Sequence, residues 1–398
     1  MKHTMRWFGP NDPVSLMDLR QAGCTGVVTA LHQIPVGAIW SHEEISTRKN
    51  LIEKDNYQYN QLEWTVVESL PVHEDIKKGK STRDQLIRNY QQSMINLAAH
   101  GIKTICYNFM PVLDWSRTNL SYVRPDGSET LRFVWQDFAL FDLFILKRKR
   151  AENDYSEEVR ENAYRQWNTS SAADLSRLTE TVLLGLPGAS EAFSLTTFQG
   201  LLDEYKEIGQ QELRSNLYHF IQQIAPVAQE NGIRLCIHPD DPPKPLLGLP
   251  RVVSTEADLI QLMDAAPITE NGITFCTGSL GVRPDNDLPG IVQRHGSRIH
   301  FAHLRSVKRE ADTLNFHEAP HLEGDADMYE VVKALVKEEK RRRLAHNCVT
   351  EIPMRPDHGF KMLHDFDKNT YPGYSAIGRL KGLAEIRGLE TAIRNSID

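Results

Sequence analysis

The sequence predicts a (β/α)8 barrel carrying a helical insertion after its fourth strand. Three observations point there. Short, β-branched apolar runs alternate with helix-length amphipathic stretches almost from the first residue, and eight such runs can be counted. The strand cores are continuous apolar stretches, as in strands covered on both faces. Several of the later ones finish on a metal-capable side chain, which suits strands whose C-terminal ends converge on one mouth. A doubly wound open sheet is the alternative, but no G-x-G-x-x-G follows the first strand, and a count of eight favours closure.

The elements follow in order. Residues 5–8 read as a short strand, and Asn11-Asp12-Pro13 supplies a cap and a first-turn proline for a helix running to Gly23. Residues 26–31 (GVVTAL) form the second strand, and Ser41-His42-Glu43-Glu44 has capping-box spacing for the next helix. Residues 62–70 are the third strand. A long helix starts at Ser81 or Thr82, carries Leu86, Ile87, Tyr90, Met94, Ile95 and Leu97, and stops at Gly101. Residues 103–110 are the fourth strand.

The alternation then breaks. Residues 113–210 are polar, charged and helix-prone, with the turn Arg124-Pro125-Asp126-Gly127 and a helical stretch over 151–184. That length exceeds any ordinary βα loop, so residues 113–210 read as a helical subdomain inserted into a single barrel domain spanning 1–398. The pattern resumes with strands at 234–238, 273–276 and 298–303 and an eighth within 349–354, separated by helices at 255–265, 288–294 and 328–340. A last helix covers 375–394.

Composition narrows the function. Of 398 residues, 40% are hydrophobic and 25% charged, as in ordinary globular proteins. A formal charge of −7 argues against nucleic-acid binding. The basic runs Lys147-Arg148-Lys149-Arg150 and Lys340-Arg341-Arg342-Arg343 read as solvated helix faces. The N-terminus has no signal-like apolar region, and no run approaches the ~18 apolar residues of a membrane helix, so a cytoplasmic location is expected. Five scattered cysteines describe no disulfide framework, and four of them read as small buried hydrophobes.

The chemistry gathers at the strand ends. His238, Cys276, His303 and Asp357 follow strands five to eight, which neighbour one another in a barrel, so the four can meet around one ion. Each alone has an ordinary structural reading. Alternation separates His303, which shares a face with Ile299 and Phe301, from the competing His300. The absence of C-x-x-C spacing points to an open, catalytic site rather than a closed structural one. A thiolate with two imidazoles suits zinc or ferrous iron, and the carboxylate also suits manganese. Arg6 and Trp7 end strand one, Asn108 ends strand four, and Arg305, Arg355, His358 and Tyr374 lie near strands seven and eight. Glu68, His32 and His73 also sit near the mouth, the two histidines with surface or structural roles as the default. A cationic, metal-bearing mouth in an acidic protein points to a small anionic substrate.

At this point the motifs resemble the mannonate dehydratase family, in its longer branch, over essentially the whole chain. The resemblance rests on Arg6-Trp7-Phe8-Gly9-Pro10, Asn11-Asp12-Pro13-Val14, Val67-Glu68-Ser69 and Cys106-Tyr107-Asn108-Phe109-Met110-Pro111. It continues through His238-Pro239-Asp240-Asp241-Pro242-Pro243, Cys276-Thr277-Gly278-Ser279, Arg355-Pro356-Asp357-His358-Gly359 and Pro372-Gly373-Tyr374. It implies a xylose-isomerase-like TIM barrel that dehydrates D-mannonate to 2-dehydro-3-deoxy-D-gluconate in hexuronate breakdown. It also implies Mn2+ or Fe2+ held by His238, Cys276, His303 and Asp357, and a homodimer. For such a substrate His358 and Tyr374 are the expected acid–base pair. His358 is assigned to the leaving hydroxyl and Tyr374 to C2, two roles that the sequence leaves interchangeable. Arg6, Trp7, Asn108 and Arg355 are the expected substrate contacts. A sugar isomerase on the same barrel, or a sugar-acid binding protein with a structural ion, are the rival readings; the spare arginine, histidine and tyrosine disfavour the second.

Overall fold

Eight parallel strands close a barrel in the computed structural model, which describes residues 1–54, 61–184, 194–310, 315–346 and 349–397. Twelve strands are numbered in chain order. The barrel takes β1 (Lys2–Arg6), β2 (Gly26–Thr29), β3 (Glu63–Glu68), β4 (Thr104–Tyr107), β7 (Arg234–Ile237), β8 (Asn271–Cys276), β9 (Ile299–His303) and β12 (Pro353–Arg355). Around the ring they run β1-β12-β9-β8-β7-β4-β3-β2. All eight expected strands are present, mostly shorter than the apolar runs that announced them. The eighth reaches one residue beyond its expected window, so Arg355 is a strand residue in register with His303.

The hydrophobic pattern explains the closure. Residues pointing inward from β2, β3, β4, β7 and β9 make a small plug of Val28, Val66, Cys106, Cys236 and Phe301. Outward residues such as Val27, Val67, Ile105 and Leu235 join the larger core under the helices. Cys24, Cys106, Cys236 and Cys276 are all buried and free, and Cys348 lies outside the described residues. Helix starts follow local chemistry. Ser41 caps His42–Glu53 by accepting from the Glu44 N–H, while Ser375 precedes Ala376–Ser396. The first helix begins later than expected, at Leu16, because Asp12 turns back to accept from Phe8 N and Val14 N, leaving Ser15 to cap through a capping box with Asp18.

Two expectations change. Residues 113–210 are not helical throughout: β5 (Asn119–Val123) and β6 (Glu129–Phe133) form a hairpin around the Arg124-Pro125-Asp126-Gly127 turn. A second hairpin, β10 (Ser306–Arg309) and β11 (Phe316–Ala319), leaves the barrel after β9 and had no counterpart among the expected elements. The two join into one antiparallel sheet, β10-β11-β6-β5. Phe133 stacks on Phe316 across the join at 5.6 Å, backed by the helix Trp135–Leu140. Helices Glu157–Thr169 and Ala172–Leu183 lie within the expected helical stretch.

The basic runs are less solvated than their charge implies. Lys147 and Arg150 adopt left-handed backbone, at φ 55° and 64°, so the first run is a turn, with Arg148 paired to Asp142 and Asp154 at 2.7 and 2.5 Å. In the second, Arg342 is buried on Glu338 and on the carbonyls of Gly296 and Ile299. Among the described residues no helix is long and apolar enough to cross a membrane.

Candidate active site

The C-terminal ends of the barrel strands enclose a small cavity lined mostly by charged and polar side chains. Strand alternation selects what enters it. On β8, Thr274 points inward to Cys106 and the Cys236 carbonyl, so Cys276, two residues on, faces the same way at the mouth. On β9, the Phe301 ring meets His303 edge-on at 4.5 Å, while His300 points outward to the Thr269 carbonyl.

His238, Cys276 and His303 each offer a ligand atom within 4.8 Å of the others. His238 Nε2 lies 3.2 Å from His303 Nδ1, and Asp357 Oδ2 lies 3.8 Å from Cys276 Sγ and 4.0 Å from His303 Nδ1. The chemistry of this set fits a divalent ion. His238 Nδ1 is 2.7 Å from the Pro239 carbonyl, which accepts a hydrogen bond from its N–H and leaves Nε2 free to ligate. Burial and the Arg355 guanidinium push His303 well below its ordinary pKa, so it stays neutral, as a ligand must. Burial lowers His238 too, but the Cys276 sulfur beside it, with Cys106 and Glu68, outweighs this and raises it to about 10. The two imidazoles shift oppositely because one faces arginine and the other faces anions. The pocket at His238 favours positive charge, where the three donors His238, Cys276 and His303 meet.

Around the donors runs a chain of buried ion pairs. Arg355 reaches Glu68 Oε1 at 2.8 Å and also pairs with Asp357. Arg305 Nη1 is 3.3 Å from Asp357 Oδ2, and its Nη2 is 2.8 Å from Asp241 Oδ2. Burial would raise Asp357, but Arg355, His358 and Arg305 hold it well below the usual carboxylate range. Glu68 is treated likewise: burial pushes up, Arg355, His303 and Arg6 pull down, and it rests at about 2. Arg355 therefore finds its anions within the protein and needs none from a substrate.

His358 sits with Nδ1 3.1 Å from Glu318 Oε1 and 3.1 Å from Arg305 Nη1, its Nε2 3.9 Å from Asp357 Oδ1. Tyr374 packs edge-on against it at 5.2 Å. Burial raises the Tyr374 phenol, and Arg355 and Arg6 do not overcome it, so the side chain keeps its proton.

The expected site residues divide cleanly. Arg6, Asn108, His238, Arg355, Asp357, His358 and Tyr374 line the cavity, and Cys276 and His303 lie behind this lining, within 4.0 Å of Asp357. Trp7 does not join them. It follows Arg6 on the opposite face, belongs to the core and lies under the Arg48 guanidinium at 5.5 Å, so it supports the mouth from outside. His73 caps the helix Glu74–Lys77 through Nδ1, and His32 is half-buried beside the Phe8 ring. Sequence reasoning missed Arg117 and Glu318. Arg117 is fully buried and binds Asp241 Oδ1 at 2.7 Å and Glu318 Oε1 at 2.9 Å, tying the accessory sheet to the mouth. Neither lies in a run with any local signal. Replacing Arg117 by Met leaves two buried carboxylates short of a cation. Chemical denaturation is expected to show a loss of ~3–5 kcal/mol; a loss below ~1 kcal/mol would mean the pair is not what joins sheet to barrel.

Comparison with known proteins agrees with this geometry. The family model described as D-mannonate dehydratase (UxuA) matches residues 1–398. A mannonate dehydratase of Marinomonas sp. (strain MWYL1) is 53% identical over 397 residues, covering 100% of both chains. One of Chromohalobacter salexigens is 53% identical over 394 residues, covering 99% of each. The crystal structure of mannonate dehydratase from Streptococcus suis serotype 2 superposes with a TM-score of 0.76 at 33% identity, covering 100% of this chain and 94% of that one. With a family model matched from end to end and full-length relatives above half identity, the chain belongs to the D-mannonate dehydratase family.

Proposed function

We propose that the barrel mouth removes water from D-mannonate to give 2-dehydro-3-deoxy-D-gluconate, a hydro-lyase step of glucuronate breakdown. The observation that carries this reading is the meeting, at one barrel mouth, of the His238–Cys276–His303 donor group, with Asp357 beside it, and the His358–Tyr374 pair. His238 Nε2, Cys276 Sγ, His303 Nδ1 and Asp357 Oδ2 would hold the ion, Mn2+ or Fe2+. When bound it supplies positive charge against the substrate carboxylate and against the electron density that gathers there once C2 loses its proton.

The remaining work falls to the chain's own groups. The proton beside a carboxylate is weakly acidic and hydroxide leaves poorly, so both a base and an acid are needed. Tyr374, kept protonated by burial, suits the acid at the C3 hydroxyl. His358 Nε2, with Nδ1 anchored by Glu318, suits the base at C2. This reverses the assignment favoured by sequence, and the reason is the buried phenol. Among the described residues Arg6 bears one ion pairing, at 3.5 Å to Glu68, and lies over Phe8, leaving it the least committed of the mouth arginines for the substrate. The C2–H proton passes to His358, the C3 hydroxyl departs as water with Tyr374's proton, and the enol tautomerises to the 2-keto acid.

The test is incubation of chelator-stripped and Mn2+-restored protein with D-mannonate, followed by an assay for 2-keto-3-deoxy acid. Product that appears only after restoration is expected. Its absence, or turnover of an aldose instead, would overturn the reading.

A further inference from the structure

The cavity holds a carboxylate that the proposed chemistry does not use. Asp114 lines it, three residues before Arg117. The other acids on the wall are committed: Glu68 to Arg355 and Arg6, Asp241 to Arg117 and Arg305, Asp357 to the donor set. Among the described residues Asp114 has no ion pair, and its one side-chain neighbour is Asn108 Nδ2, at a long 3.5 Å. Burial raises its carboxyl, and Lys77, Arg6, its own backbone N–H and Arg251, which pull the other way, do not overcome it, so it is a poorly solvated acceptor with capacity for further donors.

The backbone presents it deliberately. Val112 is a β-branched residue held at φ 57°, a left-handed conformation that such residues rarely adopt. Its N–H donates to Glu74 Oε2 at 3.3 Å, the Met110 carbonyl accepts from Lys77 Nζ at 2.8 Å, and the Leu113 carbonyl accepts from Arg251 Nη2 at 2.9 Å. These clamps on the segment leading into Asp114 set its direction.

Its position says what it faces. Asn108 and Asp114 follow β4, and β4 stands four places from β12 in the eight-strand ring by either route. They therefore look across the mouth at Asp357 and His358. A sugar acid held by its carboxylate and reacting carbons near β12 extends its polyol tail towards β4. We propose that Asp114, with Asn108 beside it, is the specificity-determining subsite for that tail, its carboxylate oxygens accepting the adjacent C5 and C6 hydroxyls. This rests on the dehydratase reading of the same cavity. Two hydroxyls on one carboxylate make a site that rejects substrates lacking them, because the half-buried acceptor is then left short of donors.

The experiment pairs substrate truncation with substitution. Parent, Asp114→Ala and Asp114→Asn are each loaded with Mn2+ and checked for equal metal content and thermal midpoint. Each is then assayed with D-mannonate and with the four-carbon trihydroxy acid of matching C2 and C3 configuration. The parent is expected to prefer D-mannonate by a factor on the order of 10²–10⁴ in kcat/KM. Asp114→Ala should lose most of that preference, with activity on the short acid changing less than about threefold, and Asp114→Asn, which keeps one acceptor oxygen, should fall between. An equal loss on both substrates, or an unchanged preference in a folded Asp114→Asn, would overturn the subsite. Failure of the parent to dehydrate D-mannonate at all would instead overturn the reading beneath it, and the subsite with it.

Discussion

His358→Gln is expected to keep its metal and its thermal midpoint while losing turnover by roughly 10³-fold, the scale of general acid–base catalysis. Glutamine can occupy the space between Glu318 and Asp357 but cannot carry a proton between two atoms. The loss should have a specific signature. In deuterated water the parent should exchange the C2 proton of D-mannonate, and His358→Gln should not. Tyr374→Phe should behave oppositely, retaining exchange at C2 while failing to expel the C3 hydroxyl, because the phenol that burial keeps protonated is the group it removes. If Tyr374→Phe abolishes exchange and His358→Gln preserves it, the two roles are those that the sequence first suggested. A fully active His358→Gln would remove the acid–base pair from the mechanism altogether.

Cys276→Ala is expected to act one step earlier. Cys276 is fully buried, and its sulfur lies 3.8 Å from Asp357 Oδ2, among the donors that would hold the ion. Without it the site keeps two imidazoles and a carboxylate and loses its soft anionic ligand. Loss of supporting residues alone costs about 10–100-fold in metal affinity, and removing a ligand should exceed that. After dialysis the variant should hold little metal by elemental analysis, with turnover falling in parallel and partly returning in excess Mn2+. Parent-level metal in the dialysed variant would show that the sulfur is not a ligand. The two variants thus separate the site: one keeps the ion and loses proton transfer, the other loses the ion itself.

The barrel was legible because each of its strands is a local signal. Val27, Val28, Val66, Val67 and Ile105 are buried on one face or the other, so the strand cores that contain them are continuous apolar stretches. The donors were legible because they sit at the ends of those runs. Trp7 was misplaced although the same alternation that selected His303 over His300 would have turned it outward from Arg6. The accessory sheet was hidden for a different reason. β5 is half exposed and β10 carries Lys308 and Arg309, so neither shows a buried strand's pattern, and the pairing that joins the two hairpins, β6 with β11, links segments far apart in the chain. Arg117 and Glu318 share that obscurity, since what makes them important is each other and Asp241. The roles of His358 and Tyr374 could not be divided from sequence because the division depends on burial.

The accessory sheet also sets an order of events on the ribosome. β6 pairs with β11, and Phe133 meets Phe316 in register. At synthesis rates of ~5–20 residues per second, the second of these strands emerges roughly 10–40 s after the first. Until then the β5–β6 hairpin has an unpaired edge and Arg117 has no Glu318. The early half of the chain must therefore wait, edge exposed, for the late half, and the catalytic mouth is completed only when nearly the whole polypeptide has been made.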